Sequence, residues 1–270
     1  MKAIKLLAVL IMGSVLVAAC SSNGGKTNKN AASEIDEVSV TQIIEDIENI
    51  PTPTSIELME MVNKLGVAYM LDVTNSLANQ ENYLSTKQKA LNLGVYAADL
   101  SYDVAYQRKA ETEEYLRCIL GMASDLNISI DANGISEKFK NNIDNLESLT
   151  AVVKDLLKDS QYILNQTSQT ETALLFLIGS WVESAYICVS ASDLAANNME
   201  FLKVAASHFE YSNTILKYME SRKDNADFAP FYEQFVALQK LVDEYKTDIN
   251  NSELFENVAG AVKDMRNSIV

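Results

Sequence analysis

Ala173-Leu-Leu-Phe-Leu-Ile-Gly-Ser-Trp-Val-Glu-Ser-Ala-Tyr-Ile-Cys-Val189 is the stretch on which the fold turns. Glu183 is its only charged residue, and Leu174, Leu175, Phe176, Leu177, Ile178, Trp181, Val182, Ile187 and Val189 leave it apolar around much of a helical circumference. A helix apolar on most sides is usually central to its domain. A carboxylate in such a helix must be paired, hydrogen-bonded or protonated, because an isolated buried charge costs several kcal/mol. Tyr102, Tyr186 and serines such as Ser101 are the candidate partners, and if Glu183 is buried its pKa is raised; the plainer alternative is that it lies on the helix's single wet line or makes one core hydrogen bond.

Working outward, the same grammar recurs. Leu65-Gly66-Val67-Ala68-Tyr69, Leu93-Gly94-Val95-Tyr96-Ala97 and Ile178-Gly179-Ser180-Trp181-Val182 each place a glycine after a branched apolar residue, with an aromatic following closely. Glycine inside a helix costs about 1 kcal/mol relative to alanine, so the repetition calls for a packing reason. A missing side chain lets a neighbouring helix approach, and the three segments are expected to be central rods. Their unequal spacing argues against a regular solenoid.

Elsewhere apolar residues recur at three- and four-residue steps, the α-helical period. Examples are Leu146, Leu149, Val153 and Leu156; Phe231, Phe235, Leu238, Val242, Tyr245 and Ile249; and Leu254, Val258, Ala261, Met265 and Ile269. Thr54 with Glu57 and Ser85 with Gln88 have capping-box spacing. Pro51 and Pro53 separate an acidic helix, about Glu34 to Ile50, from one running to about Gln80. Asp131-Ala-Asn-Gly134 and Asp224 to Pro230 read as turns. Three prolines and nine glycines in 270 residues leave few obligatory breaks, so the expectation is all-α: a single multi-helix domain, residues 34–270, of about nine or ten mostly antiparallel helices.

Leu91-Asn-Leu-Gly-Val-Tyr-Ala-Ala-Asp-Leu-Ser-Tyr102 and Leu177-Ile-Gly-Ser-Trp-Val-Glu-Ser-Ala-Tyr186 resemble stretches of all-helical lipoproteins of Gram-negative gut anaerobes, a group with no assigned activity. The resemblance covers most of the chain from about Thr54 onward. It implies an exported helical lipoprotein and supplies no catalytic residue to carry over.

The amino end agrees with export. Lys2 and Lys5, an apolar run from Leu6 to Val17, and Val17-Ala18-Ala19-Cys20 form a secretory leader over residues 1–19, with a lipobox that makes Cys20 the lipid attachment site. Several acyl chains hold a protein on a bilayer far more firmly than one. Ser21 after the cysteine, with no acidic residue close behind, favours the outer membrane facing the periplasm. Residues 20–33 hold no large apolar side chain and read as a flexible tether, with a reach of roughly 20 Å as a random coil.

A net charge of −15, more negative by two once Lys2 and Lys5 leave with the leader, repels nucleic acid and anionic lipid headgroups. Nucleic acid is therefore not an expected partner. The membrane, reached through the lipid, is one, and an envelope protein or a small molecule is the other. Cys118 and Cys188 are expected to be buried free thiols.

Asp99 and Asp103 share a helical face, as do Tyr102 and Tyr106. With Glu183, Trp181 and Tyr186 they could line a polar-aromatic pocket for a cationic or hydroxylated small molecule. The bland account is a solvated acidic edge beside core aromatics. His208, the single histidine, cannot make a histidine-based zinc site and is expected to be a packing or surface residue. No cofactor, metal or catalytic constellation is expected. The leading expectation is a non-enzymatic binding or assembly module for an envelope component; the alternative is a small-molecule-binding or sensory lipoprotein using that pocket.

Overall fold

Helix starts follow the caps written in the sequence. The structure of the protein, a computed structural model, describes residues 54–166, 169–192, 194–195 and 198–270, with side chains at 157–166 excepted. Cys20, the leader, the tether and the acidic helix expected before Pro51 lie outside the described residues. Thr54 and Ser85 both form full capping boxes, with Glu57 and Gln88 respectively. In each, a hydroxyl and a longer polar side chain satisfy otherwise unpaired amides of the first turn.

Ten α-helices and no strand are present among the described residues: α1 (Ser55–Lys64), α2 (Thr86–Ala105), α3 (Lys109–Asp125), α4 (Ala132–Asn142), α5 (Leu146–Gln166), α6 (Thr170–Ala191), α7 (Met199–Glu210), α8 (Ser212–Met219), α9 (Ala229–Thr247) and α10 (Ser252–Asn267). The fold is all-α, and the described residues belong to one compact unit.

Two of the three glycine segments form its centre. Every residue of α2 from Ala90 to Ala105 is buried, and α6 buries almost its whole circumference from Leu174 to Val189. The two helices share the most extensive helix–helix interface among the described residues. Gly94 and Gly179 make that interface possible. A Cβ at Gly94 would stand 2.1 Å from the Phe176 carbonyl oxygen and one at Gly179 1.9 Å from that of Leu91, so any side chain would force the backbones apart. Length and apolarity would let α6 cross a membrane, yet 83% of its most apolar window is buried inside the protein. Burial on this scale places it at the core.

The third glycine does something else. Helix α1 ends at Lys64 and does not continue to Gln80; Gly66, at φ 83°, takes the left-handed conformation just past the helix and donates to the Asn63 carbonyl at 2.8 Å. This is the helix-stop use of glycine, and nothing lies within 4 Å of where its Cβ would be. The central rods are therefore two, and the chain from Leu65 to Ser85 is a cover loop interrupted only by a short 3₁₀ turn at Leu77–Asn82. Asp131-Ala-Asn-Gly134 is likewise a helix start, since the Asp131 carboxylate caps α4 by accepting from the Gly134 amide at 2.9 Å.

The periodic seams pack as their spacing requires. Leu149, Val153 and Leu156 on α5 are buried, as are Phe231, Phe235, Leu238, Val242 and Tyr245 on α9. On α10 the buried stripe runs through Phe255, Val258, Val262 and Met265 and is continued just past the helix by Ile269, leaving Leu254 and Ala261 at its margin. Cys118 and Cys188 are free and buried, and burial pushes both thiols up to about 12.

Candidate functional site

The polar side chains singled out in the sequence fall into three groups around the α2–α6 pair. In the first, Glu183 on α6 is wholly buried and paired with Arg266 on α10, whose Nε and a terminal guanidinium nitrogen donate to its two carboxylate oxygens at 2.9 and 3.2 Å. The guanidinium also lies 4.1 Å from the ring centroid of Tyr186, one helical turn from Glu183. Arg266 gave no sign of this role in the sequence, where it is a lone arginine near the chain end. The partners expected for Glu183 among tyrosines and serines do not make the pair. Ser101 instead bonds the Ala97 carbonyl of its own helix.

Asp99 on α2 is fully buried. Its Oδ2 accepts from the Asn75 amide at 3.1 Å, while Oδ1 receives no donor among the described residues. Burial, and next the Glu183 charge, hold its pKa well above the usual carboxylate range. Burial raises Glu183 as well, against the pull of Arg266.

The second group sits under the cover loop. Tyr69 donates to Asp103 Oδ1 at 3.0 Å, Tyr102 accepts from the Met70 amide at 2.6 Å, and Tyr106 donates to the Val67 carbonyl at 2.8 Å. The three rings pack together with centroids 4.7 to 5.5 Å apart, and Arg108 lies over the Tyr69 face at 4.7 Å. Burial pushes Asp103 up to about 7. Further along the loop, Tyr96 donates to the Ser76 carbonyl at 3.0 Å and Tyr115 to the Asn75 carbonyl at 2.8 Å. Asn75 itself is held by Tyr83 and Asn92. The loop's backbone thus finds its partners in side chains from α2 and α3, which is how a non-helical segment can lie on a core without stranded amides and carbonyls.

Trp181 belongs to neither group. Two residues from Glu183 on a helix, it faces the other way, where its indole donates to the His208 carbonyl at 3.1 Å, stacks on the His208 ring at 5.7 Å and meets Phe235 at 5.2 Å. His208 is buried with neither ring nitrogen partnered among the described residues, and burial lowers it to about 4. The residues expected to share a pocket are thus divided: Glu183 and Tyr186 about Arg266, Asp99 on the Asn75 amide, Tyr102, Tyr106 and Asp103 beneath the loop, and Trp181 on the far side of α6. Among the described residues no three histidine, cysteine, aspartate or glutamate side chains gather as metal ligands would.

Comparison with family models, curated proteins and solved structures finds no match to this chain.

Proposed function

We propose that this protein is a non-enzymatic binding or assembly module of the cell envelope, anchored through lipid on Cys20 to the periplasmic face of the outer membrane, and that the cover loop presents its contact surface. One observation carries the reading. Leu71 and Leu84 stand 74% and 83% exposed on a segment whose backbone is fastened from below by Asp99, Tyr96, Tyr102, Tyr106 and Tyr115. Single exposed leucines are ordinary. Two on a braced loop are different, because a pre-ordered surface loses little conformational entropy on docking. The interior acids and tyrosines supply that bracing, so they are structural supports for the surface in this reading.

The test is purification of the full-length protein from membranes after crosslinking. Leu71→Asp with Leu84→Asp should abolish recovery of a specific envelope protein while circular dichroism stays helical, and Cys20→Ala should lose palmitate-analogue labelling and leave the membrane fraction. Undiminished recovery by the double variant would refute the loop as contact surface. Retained labelling without Cys20 would refute the anchor.

A further inference from the structure

We propose that the cover loop docks a basic amphipathic segment of another protein, whose apolar side chains sit on Leu71 and Leu84 while its lysines or arginines meet Asp72 and Glu81. The inference rests on the reading of this loop as a contact surface and adds the chemistry of what it takes. Of the five large apolar residues exposed among the described residues, three fall between Met61 and Leu84. Apolar exposure is thus concentrated on the end of α1 and the loop that follows it.

Charge on the loop has one sign. Leu65 to Thr86 contains no lysine or arginine, and its two acids, Asp72 beside Leu71 and Glu81 shortly before Leu84, are both exposed. Neither carboxylate has an ion pair or hydrogen bond among the described residues. The cations at the borders of the loop are engaged elsewhere. Lys64 lies 3.8 Å from Glu60, Lys87 lies 3.5 Å from Asp227 and 5.2 Å from the Phe231 ring centroid, and Lys89 pairs with Asp125. Arg108, on the Tyr69 ring, is held by Glu111 at 3.1 Å. On α3, which packs against the 3₁₀ turn, exposed Arg117 is outnumbered by exposed Glu113 and Glu114.

A surface apolar at two points, with an unneutralised acid near each, repels anionic lipid and favours a partner of opposite charge. The leucines supply the attachment and the acids choose the partner. Exposed ion pairs add little energy, but an acidic segment of the same shape would set like charges against Asp72 and Glu81 and be rejected. An amphipathic helix with a basic polar face meets both demands.

Two labelled helical peptides of identical leucine spacing test this, one with lysine and the other with glutamate at every polar position. Their binding is read by fluorescence anisotropy against the full chain carrying Cys20→Ala, so that no lipid enters the measurement. The lysine peptide should bind at least about tenfold more tightly than the glutamate peptide, and its affinity should fall at least about fivefold between about 0.05 and about 0.5 M salt as exposed charges are screened. Asp72→Asn with Glu81→Gln should weaken it about threefold to tenfold, as expected for two exposed pairs, whereas neutralising exposed acids of α9 and α10 by Asp243→Asn with Glu256→Gln should leave it unchanged. Leu71→Ser with Leu84→Ser, which keeps the net charge, should abolish binding.

If both peptides bind alike and both are lost with the leucines, the loop is a contact surface whose partner is not basic, and this inference alone fails. Lysine-peptide binding that survives loss of the leucines, or that responds equally to both pairs of neutralised acids, follows the overall negative charge and overturns the inference. So does the absence of binding by either peptide. Co-sedimentation of the parent, but not of the leucine variant, with phosphatidylcholine vesicles would make the loop a lipid contact and overturn it too. The crosslinking experiment judges the contact surface independently of each outcome.

Discussion

On one side of α6, Glu183 meets Arg266 through charge and directed hydrogen bonds; on the other, Trp181 meets His208 and Phe235 through ring faces. The aromatic side continues through Phe209, Tyr245 and Phe255, with ring centroids 5.6 to 6.3 Å apart. The polar side continues through Asn75, Asn92, Tyr83 and the cover loop. Shape holds the first together and tolerates small rearrangement at the cost of contact area. Directional bonds hold the second, and there the loss of one partner strands another. The contrast assigns a job to each side. Aromatic packing joins α6 to α7 and α9, whereas the polar side secures an irregular loop and ties Arg266 of α10 to α6.

The comparison breaks most completely if α2 and α6 are pushed apart, because both sides depend on α6 staying where it is. Gly179→Val should unfold the protein or cost more than about 4 kcal/mol in denaturant titration, since its side chain would enter the Leu91 backbone. Gly66→Ala, with open space around it, should cost far less, through its left-handed backbone alone. Equal costs would remove the distinction between the packing glycines and the helix-stop glycine.

A smaller change sharpens the contrast between the sides. Phe235→Ala should cost about 3–5 kcal/mol, as expected for an aromatic removed from a closed core, with the pH profile of stability unaltered. Asp99→Asn should cost little at neutral pH and alter that profile. Urea titrations at several pH values would distinguish the two, and a strongly pH-dependent Phe235→Ala penalty would contradict the division.

The pH profile itself separates the sides by sign. Asp103 is pushed up to about 7, so the folded state holds a proton that the unfolded state releases between the ordinary aspartate range and that value. Stability from this group therefore falls as pH rises across the window. His208, lowered to about 4, does the reverse: the unfolded chain takes up the proton first, and stability is lost as pH falls from about 6.5 to about 4. Over their shared range the two slopes oppose one another, each worth about 1.4 kcal/mol per pH unit at most. His208→Phe should steepen the decline with rising pH and Asp103→Asn should make it shallower. The opposite pair of changes would invert the account.

Much of the aromatic side was legible in the sequence, because Phe231, Phe235, Leu238, Val242 and Tyr245 repeat with the helical period and pack by it. The caps at Thr54 and Ser85 and the notches at Gly94 and Gly179 were legible for the same reason: their physics is local or repetitive. For Glu183 the sequence left two places open, the single wet line of its helix or a paired site in the core, and the structure puts it in the core. Its partner could not be read. Arg266 lies 83 residues away on a helix where a solvated arginine would look the same. The cover loop was hidden by its own composition, since Leu65 to Leu77 has spacing that a helix would accept. Only Gly66 marked the stop, and the same residue type in a similar setting marks close packing in the other two segments. The pocket expected from Asp99, Asp103, Tyr102, Trp181, Glu183 and Tyr186 was drawn from residues that neighbour one another in sequence. Helical geometry sends Trp181 and Glu183 to opposite sides, and the tertiary contacts complete the separation.

Glu183 and Arg266 form one buried unit fastening α10 to α6. A double-mutant cycle measures it: Glu183→Gln, Arg266→Met and the pair, each unfolded in urea at neutral pH. Each single change should cost about 3–5 kcal/mol by leaving its partner buried without a counter-charge, and the double should cost less than the sum by at least about 2 kcal/mol. Additive costs would show that the two side chains act independently and contradict the account.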